Sequence, residues 1–300
     1  MHSYNSAQAN RFRNWRKIMI GSSCLCGNTR WEIDTTGASM GHCHCSMCRK
    51  AHGAPFATFI TIPESQFRWV TGKDDLVTYR GNQNSTLLRS FCPVCGSAGP
   101  VTDGSYAYVP AGCLDEDPGI RPTEHVFVGS KAPWHTIADD LNQFDGYDPA
   151  TGLEAFDAPQ GEHAPAGAVG GSCLCGAVAF HVTEPFQVVH NCHCSRCRKA
   201  RAAAHTTNGF VSGRGVTFLR GEDNLAAYQP PDAKSFTHVF CKTCGSGMPR
   251  ANREGNYTTV PFGALDDDPG ARPNDHIYVG SKAPWYDFRD DLPKFGELPG

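Results

Sequence analysis

Seven cysteines in the first half of the chain, Cys24, Cys26, Cys43, Cys45, Cys48, Cys92 and Cys95, recur 149 residues later as Cys173, Cys175, Cys192, Cys194, Cys197, Cys241 and Cys244. They account for 14 of the 15 cysteines, and the one left over, Cys113, falls opposite Ala264. A fixed shift held at so many positions reads as two copies of one folding unit. Short, repeated cysteine spacings converge sulfurs on a point, the geometry a metal demands, and reducing compartments favour that use. Metal ligation is therefore expected in place of disulfides, and the cytoplasm is the expected location.

A length of 300 residues suits two domains. With 40% hydrophobic and 19% charged residues the chain reads as globular. No apolar run approaches the roughly 20 residues of a membrane span, so no membrane partner is expected. The formal charge of −3 counts every cysteine as a neutral thiol. Thiolates loaded with divalent zinc would make the sum more negative, which argues against general binding of nucleic acid or anionic membrane. Only the N-terminus is basic, with Arg11, Arg13, Arg16 and Lys17 ahead of the first acidic residue, Glu32. Residues 1–18 are read as a disordered extension, and Met19 as an alternative start.

Each copy runs in the same order. The first opens on Gly21-Ser-Ser-Cys24-Leu-Cys26-Gly27 and the second on Gly170-Gly-Ser-Cys173-Leu-Cys175-Gly176, each leading into a strand-like stretch. Next come Cys43-His-Cys-Ser-Met-Cys-Arg-Lys50 and Cys192-His-Cys-Ser-Arg-Cys-Arg-Lys199, then short β-leaning runs separated by turn signals. Phe91-Cys-Pro-Val-Cys-Gly-Ser97 is matched by Phe240-Cys-Lys-Thr-Cys-Gly-Ser246, and both copies close on Val-Gly-Ser-Lys-Ala-Pro-Trp, at Trp134 and Trp285. Few long segments have helical period, so the pattern predicts mainly β domains with short helical turns. The domains are placed at 19–144 and 169–300, joined by a flexible Gly-, Pro- and Ala-rich linker at 145–168. Both terminal tryptophans are read as packing residues, and Cys113 as a small core residue.

The outer cysteine pairs of each copy supply four thiolates from two distant loops, the set expected for structural zinc. These are Cys24, Cys26, Cys92 and Cys95 in the first copy, and Cys173, Cys175, Cys241 and Cys244 in the second. The remaining trios, Cys43, Cys45 and Cys48, and Cys192, Cys194 and Cys197, offer only three sulfurs each. Either a fourth position stays open for water or substrate, as in catalytic zinc sites, or a histidine closes it. Two histidine positions recur, His44/His193 and His125/His276; the first lies awkwardly between ligands, and the second reads as a core or supporting residue. An open three-sulfur site is electron-rich and suits a soft ligand such as a thiol. Arg49, Lys50, Arg198 and Lys199 follow directly, and are candidates either for holding a thiol substrate's carboxylate or for an exposed basic pair. This predicts four zinc ions per chain, two of them catalytic.

Taken together, C-x-C-G, C-H-C-S-x-C-R-K, F-C-x-x-C-G-S and S-K-A-P-W resemble the glutathione-dependent formaldehyde-activating enzyme family, which also contains centromere protein V. The resemblance spans roughly 19–144 and 169–295. It implies two tandem zinc-binding β-tent domains, with the four-cysteine sets structural and the three-cysteine sets catalytic. It also implies a carbon–sulfur lyase that makes S-(hydroxymethyl)glutathione from formaldehyde and glutathione, the latter as co-substrate. The partners expected are thus a small thiol and an aldehyde. A non-catalytic zinc module for protein binding is the alternative. The copies diverge after the trio, where Ala51-His-Gly-Ala-Pro-Phe-Ala57 faces Ala200-Arg-Ala-Ala-Ala-His-Thr206, so the two pockets are expected to be lined differently.

Overall fold

A computed structural model describes residues 19–80, 88–153 and 161–299. The basic stretch 1–18 lies outside the described residues. The described chain is mainly β, with two α-helices, α1 (Ser46–His52) and α2 (Ser195–Arg201), and several single 3-10 turns. No helix among the described residues is long and apolar enough to cross a membrane.

Each repeat is built on short sheets, because turn residues interrupt the β-branched and aromatic runs every few positions. In the first repeat, Ile20–Ser23, Arg30–Ile33 and Phe67–Thr71 form one antiparallel sheet. A six-stranded sheet has Ser39–Cys43 and Ala57–Pro63 at its centre, with Glu124–Val126 parallel to the former. The second repeat reproduces this with Val188–Cys192, Thr206–Ser212 and Asp275–Ile277. Alternation along Ala57–Pro63 and Thr206–Ser212 points Ile60 and Ile62, or Val211, into the core.

The helices are capped by the motif that makes them. Cys45 Sγ accepts from the Cys48 backbone N–H, and Cys194 does the same for Cys197, so a ligand doubles as N-cap. Gly53 ends α1 at φ 55°; in α2 the same left-handed position is held by Ala202 at φ 51°, a costlier choice for a residue with a Cβ.

The two repeats clasp each other about a pseudo-dyad, through residues just inside each helix. Arg49 Nη1 donates to the carbonyl of Leu265 at 2.6 Å, and Lys50 Nζ meets Ser172 Oγ at 2.6 Å and Asp266 Oδ1 at 2.5 Å. In the mirror arrangement Arg198 Nη1 donates to Gly112 and Leu114 carbonyls at 3.1 and 3.0 Å, and Lys199 Nζ meets Ser23 Oγ and Asp115. Backbones close up where these loops meet. A Cβ on Gly112 would lie 2.1 Å from Ala203 N, and one on Gly263 would lie 2.3 Å from Ala54 N. Trp285 is buried in the first repeat's core and donates to the Ala111 carbonyl, while Trp134 packs edge-on against Phe262 of the second. Both tryptophans are thus packing residues, each in the other repeat's core. Cys113 is fully buried, as its reading as a core residue requires.

Both described ends of the linker are docked. Phe127 N–H donates to the Gly146 carbonyl, and Glu162 and Ala164 N–H groups donate to Asp266 and Asp267.

The two lysine clasps differ in exposure: Lys50 and Asp266 side chains are 7% and 3% exposed, Lys199 and Asp115 19% and 42%. Removing one partner of a buried pair strands the other charge, at about 3–5 kcal/mol, whereas an exposed pair contributes about 0–1 kcal/mol. Lys50→Ala is therefore expected to lower the denaturation midpoint far more than Lys199→Ala, as read by urea unfolding of the full chain. Equal shifts would contradict this ranking.

Candidate metal centres

Four groups of sulfurs converge in the described structure, and within each group every Sγ lies within 4.8 Å of the others. Two groups hold four cysteines: Cys24, Cys26, Cys92 and Cys95, and Cys173, Cys175, Cys241 and Cys244. Two hold three: Cys43, Cys45 and Cys48, and Cys192, Cys194 and Cys197. The grouping is the one the spacing suggested.

In the four-sulfur sets, Cys24–Cys26 and Cys26–Cys92 Sγ separations are 3.4 and 3.7 Å, and Cys173–Cys175 and Cys175–Cys241 are 3.3 and 3.7 Å. A zinc ion with Zn–S near 2.3 Å requires tetrahedral S···S separations of about 3.8 Å. The donor set and its spacing fit zinc. The backbone prepares each set. Thr29 and Val178 N–H groups point at Cys24 and Cys173 Sγ, and Ser97 and Ser246 hydroxyls accept from Leu25 and Leu174 N–H while meeting Cys95 and Cys244. Gly96 and Gly245 take positive φ in the C-x-x-C knuckles, and their bare Cα atoms face Phe240 and Phe91 across the pseudo-dyad.

The trios sit at a strand end and a helix start. Cys43 and Cys192 close their strands, and the other two sulfurs of each trio come from the N-cap and third residue of α1 or α2. Clustered thiols oppose joint ionisation. A hydrogen bond from Cys43 holds the Cys48 thiol well below its usual range, while a hydrogen bond shared with Cys45 pushes Cys43 up. A bound dication removes that conflict by letting all three be thiolates.

No histidine or carboxylate joins either trio among the described residues. His44 turns its Nε2 to His125 Nδ1 at 2.8 Å, and His125 Nε2 meets Asp139 at 2.9 Å. His193, His276 and Asp290 repeat this chain at 2.8 and 2.9 Å. The carboxylate fixes the proton on His125 Nε2, so Nδ1 accepts from His44 Nε2–H. The histidine between two ligands thus spends its Nε2 on His125, its Nδ1 lies outside the sulfur group, and burial pushes its pKa down to about 3.

The second trio opens into a cavity of about 1070 Å³, lined among others by Arg201, His238, Phe210, Tyr257 and Arg250. At the shift of 149, the cavity-lining residues within 230–236 correspond to positions within 81–87, which lie outside the described residues. Arg89 Nη2 donates to Cys48 Sγ at 3.4 Å, and Arg201 Nη1 lies 2.8 Å from His238 Nε2. Sequence reasoning missed these cations beside the trios and looked instead to Arg49, Lys50, Arg198 and Lys199. Those four donate to the opposite repeat, and Arg49, Lys50 and Arg198 are buried there, so the structure gives them to the clasp in place of a substrate carboxylate. The divergent Phe56 and His205 line a separate cavity of about 430 Å³ between the repeats, not the one at the second trio.

Two tandem, mainly β repeats, each with one four-sulfur and one three-sulfur cluster, define a cysteine-rich metal-site protein. Residues 19–130 and 168–281 both match the family model of the glutathione-dependent formaldehyde-activating enzyme, and the chain belongs to that family. It is similar to a Halomonas elongata protein provisionally named a glutathione-dependent formaldehyde-activating enzyme, 27% identical over 122 residues, covering 38% of this chain and 77% of that protein. A Rhodobacter sphaeroides protein of known crystal structure is 27% identical, covering 35% of this chain and 97% of that one, with a TM-score of 0.28.

The four-sulfur sets tie together segments 66 residues apart, whereas each trio is local. Cys92→Ser is accordingly expected to lose one equivalent of metal together with several degrees of melting temperature, and Cys45→Ser one equivalent with a smaller shift. Metal analysis paired with thermal melting checks this, and a larger shift for Cys45→Ser would refute it.

Proposed function

We propose that this chain is a zinc-dependent enzyme of the carbon–sulfur lyase type, acting on thiol–aldehyde adducts, with glutathione as the thiol and formaldehyde or a related aldehyde as the electrophile. The observation that carries the reading is a three-sulfur cluster that no fourth group completes among the described residues and that, in the second repeat, faces a cavity. Family membership supports it, since the family's description names glutathione and the activation of formaldehyde. Four zinc ions per chain follow from the four clusters, two held for structure and two for chemistry. Fifteen free cysteines support a reducing location, the cytoplasm.

Zinc, when bound, would supply a soft Lewis acid that lowers the pKa of an incoming thiol. The chain's own part begins with placement. α1 and α2 hold two sulfurs of each trio on a capped first turn, so the helix backbone sets where the residues that would hold zinc converge. In the second repeat, Phe210 and Tyr257 line part of the cavity and reduce water near the reacting sulfur. The sulfur lone pair forms the bond to the aldehyde carbon, and the C=O π pair moves to oxygen. That oxygen takes up one proton, matching the one the thiol released; lysis of the adduct runs the same steps in reverse.

The non-catalytic alternative would require only the four-sulfur clips, and leaves the trios without a purpose. Exchange between formaldehyde and its glutathione adduct, followed by ¹³C NMR, tests the reading. The zinc-loaded chain is expected to accelerate exchange over the protein-free rate, and chelated protein is not. No acceleration by a chain carrying four zinc ions would sink it. Because the trio surroundings differ, Cys45→Ser and Cys194→Ser are expected to lose unequal shares of rate across a panel of aldehydes; equal losses on every aldehyde would show the two sites to be alike.

A further inference from the structure

One guanidinium and one imidazole stand near each trio, but at exchanged positions. The first repeat has His52 at the end of α1 and Arg89 on the strand Leu88–Phe91. At the same shift of 149, the second has Arg201 at the end of α2 and His238 on His238–Cys241. A third position changed with them. Ala98 becomes Gly247, and a Cβ on Gly247 would lie 1.1 Å from Arg201 Nη1. The arginine could not occupy its place in the second repeat with the first repeat's alanine opposite it.

The imidazoles keep a common task through the exchange. His52 Nδ1 donates to the Arg201 carbonyl at 2.8 Å, and His238 Nδ1 donates to the Cys95 carbonyl at 2.9 Å, so each ring bridges to the other repeat. A guanidinium has no acceptor, so Arg201 donates to His238 Nε2 and that ring stays neutral. One guanidinium is thereby left in the neighbourhood of each trio. Arg89 reaches Cys48 Sγ, and Arg201 lines the same cavity as Cys192, Cys194 and Cys197. Neither is paired with a carboxylate among the described residues. The second cavity also holds Arg196, Lys234 and Arg250 against one carboxylate, Asp232, which Arg196 already binds. At the first repeat's equivalent positions Met47 and Val101 replace Arg196 and Arg250.

We infer that Arg89 and Arg201 are the anion-holding positioning residues of the two open sites, and that they hold a carboxylate-bearing thiol from different directions in the two repeats. Arg201 approaches from the helix end and Arg89 from a strand. The second site, with the surplus of cations, is built for the more highly charged thiol. This inference rests on the proposed thiol chemistry.

The test uses the full chain loaded with cobalt(II), whose visible absorption reports a change of ligand at an open trio. Titrations with 3-mercaptopropionate and with uncharged 2-mercaptoethanol are compared in the wild type, Arg201→Gln, Arg201→Lys, Arg89→Gln, and the triple exchange Arg201→His/His238→Arg/Gly247→Ala. Metal content of four per chain and an unchanged melting temperature establish that a variant is folded. Arg201→Gln and Arg89→Gln are each expected to weaken 3-mercaptopropionate at one site about tenfold or more while leaving 2-mercaptoethanol unchanged. Arg201→Lys should recover part of that loss, and the triple exchange should recover most of it by rebuilding the first repeat's arrangement. Equal weakening of both thiols, or no weakening in folded variants, would overturn the inference. If neither thiol perturbs the wild-type spectrum, the proposed function itself fails before any arginine variant is consulted.

Discussion

The arrangement of this molecule turns on two helices that reach across a pseudo-dyad. Arg49 and Arg198 are buried cations whose charge is met by carbonyl oxygens of the opposite repeat, and Lys50 and Lys199 add carboxylates there. Burying a cation costs less where its donors find acceptors, and backbone carbonyls in a tight loop supply these to each Nη1 without a second desolvated ion, while the buried Nε of both arginines has no partner among the described residues. The same loops pass so close that glycine is needed at 112 and 263. Since the clasp lies one turn from Cys48 and Cys197, the docking of the repeats and the aim of each trio are fixed together. A single repeat would leave Arg49 or Arg198 without acceptors and Trp134 or Trp285 without a core.

The sulfur clusters were legible because a metal site is local in chemistry even when its loops are distant. Spacing, duplication and the odd ligand count separated the four-sulfur from the three-sulfur sets, and the structure brings the same cysteines together. The basic pairs were visible as a motif but not in their use, because the acceptors for Arg49 lie 214 and 216 residues away. Sequence places Lys50 beside a metal ligand; only the tertiary fold places Asp266 beside Lys50. The β class was readable from the lack of helical period, whereas sheet order was not, since parallel pairing of Glu124–Val126 with Ser39–Cys43 joins strands some 80 residues apart.

The recurring histidines answer the question that the cysteine count left open. Two imidazoles at fixed positions in both copies might have closed the trios, yet each pair is tied to a carboxylate and to itself. A His–His–Asp chain of this kind sets tautomers and holds the loop carrying the ligands on either side of His44 and His193. Burial pushes the pKa of His44 and His193 down, which suits a role in shape and hydrogen bonding beside clustered sulfurs. The imidazole nearest in sequence to the sulfurs is thereby held outside each trio.

Duplication within one chain also records which features the two sites can exchange and which they cannot. The sulfurs, the histidine chain and the clasp are held position by position. The arginine near each trio is held in kind but not in place, and its move required His238 to take over the carbonyl bridge and Gly247 to open the space. A guanidinium serving only to fill volume would gain nothing from so coordinated a move. Its charge near the sulfurs is the property that survived, because an electron-rich three-thiolate centre repels an anionic ligand unless a cation stands beside it. The two repeats reach that condition from different elements, a strand in the first and a helix end in the second, and that difference lies nearer the sulfurs than the divergent Phe56 and His205 between the repeats.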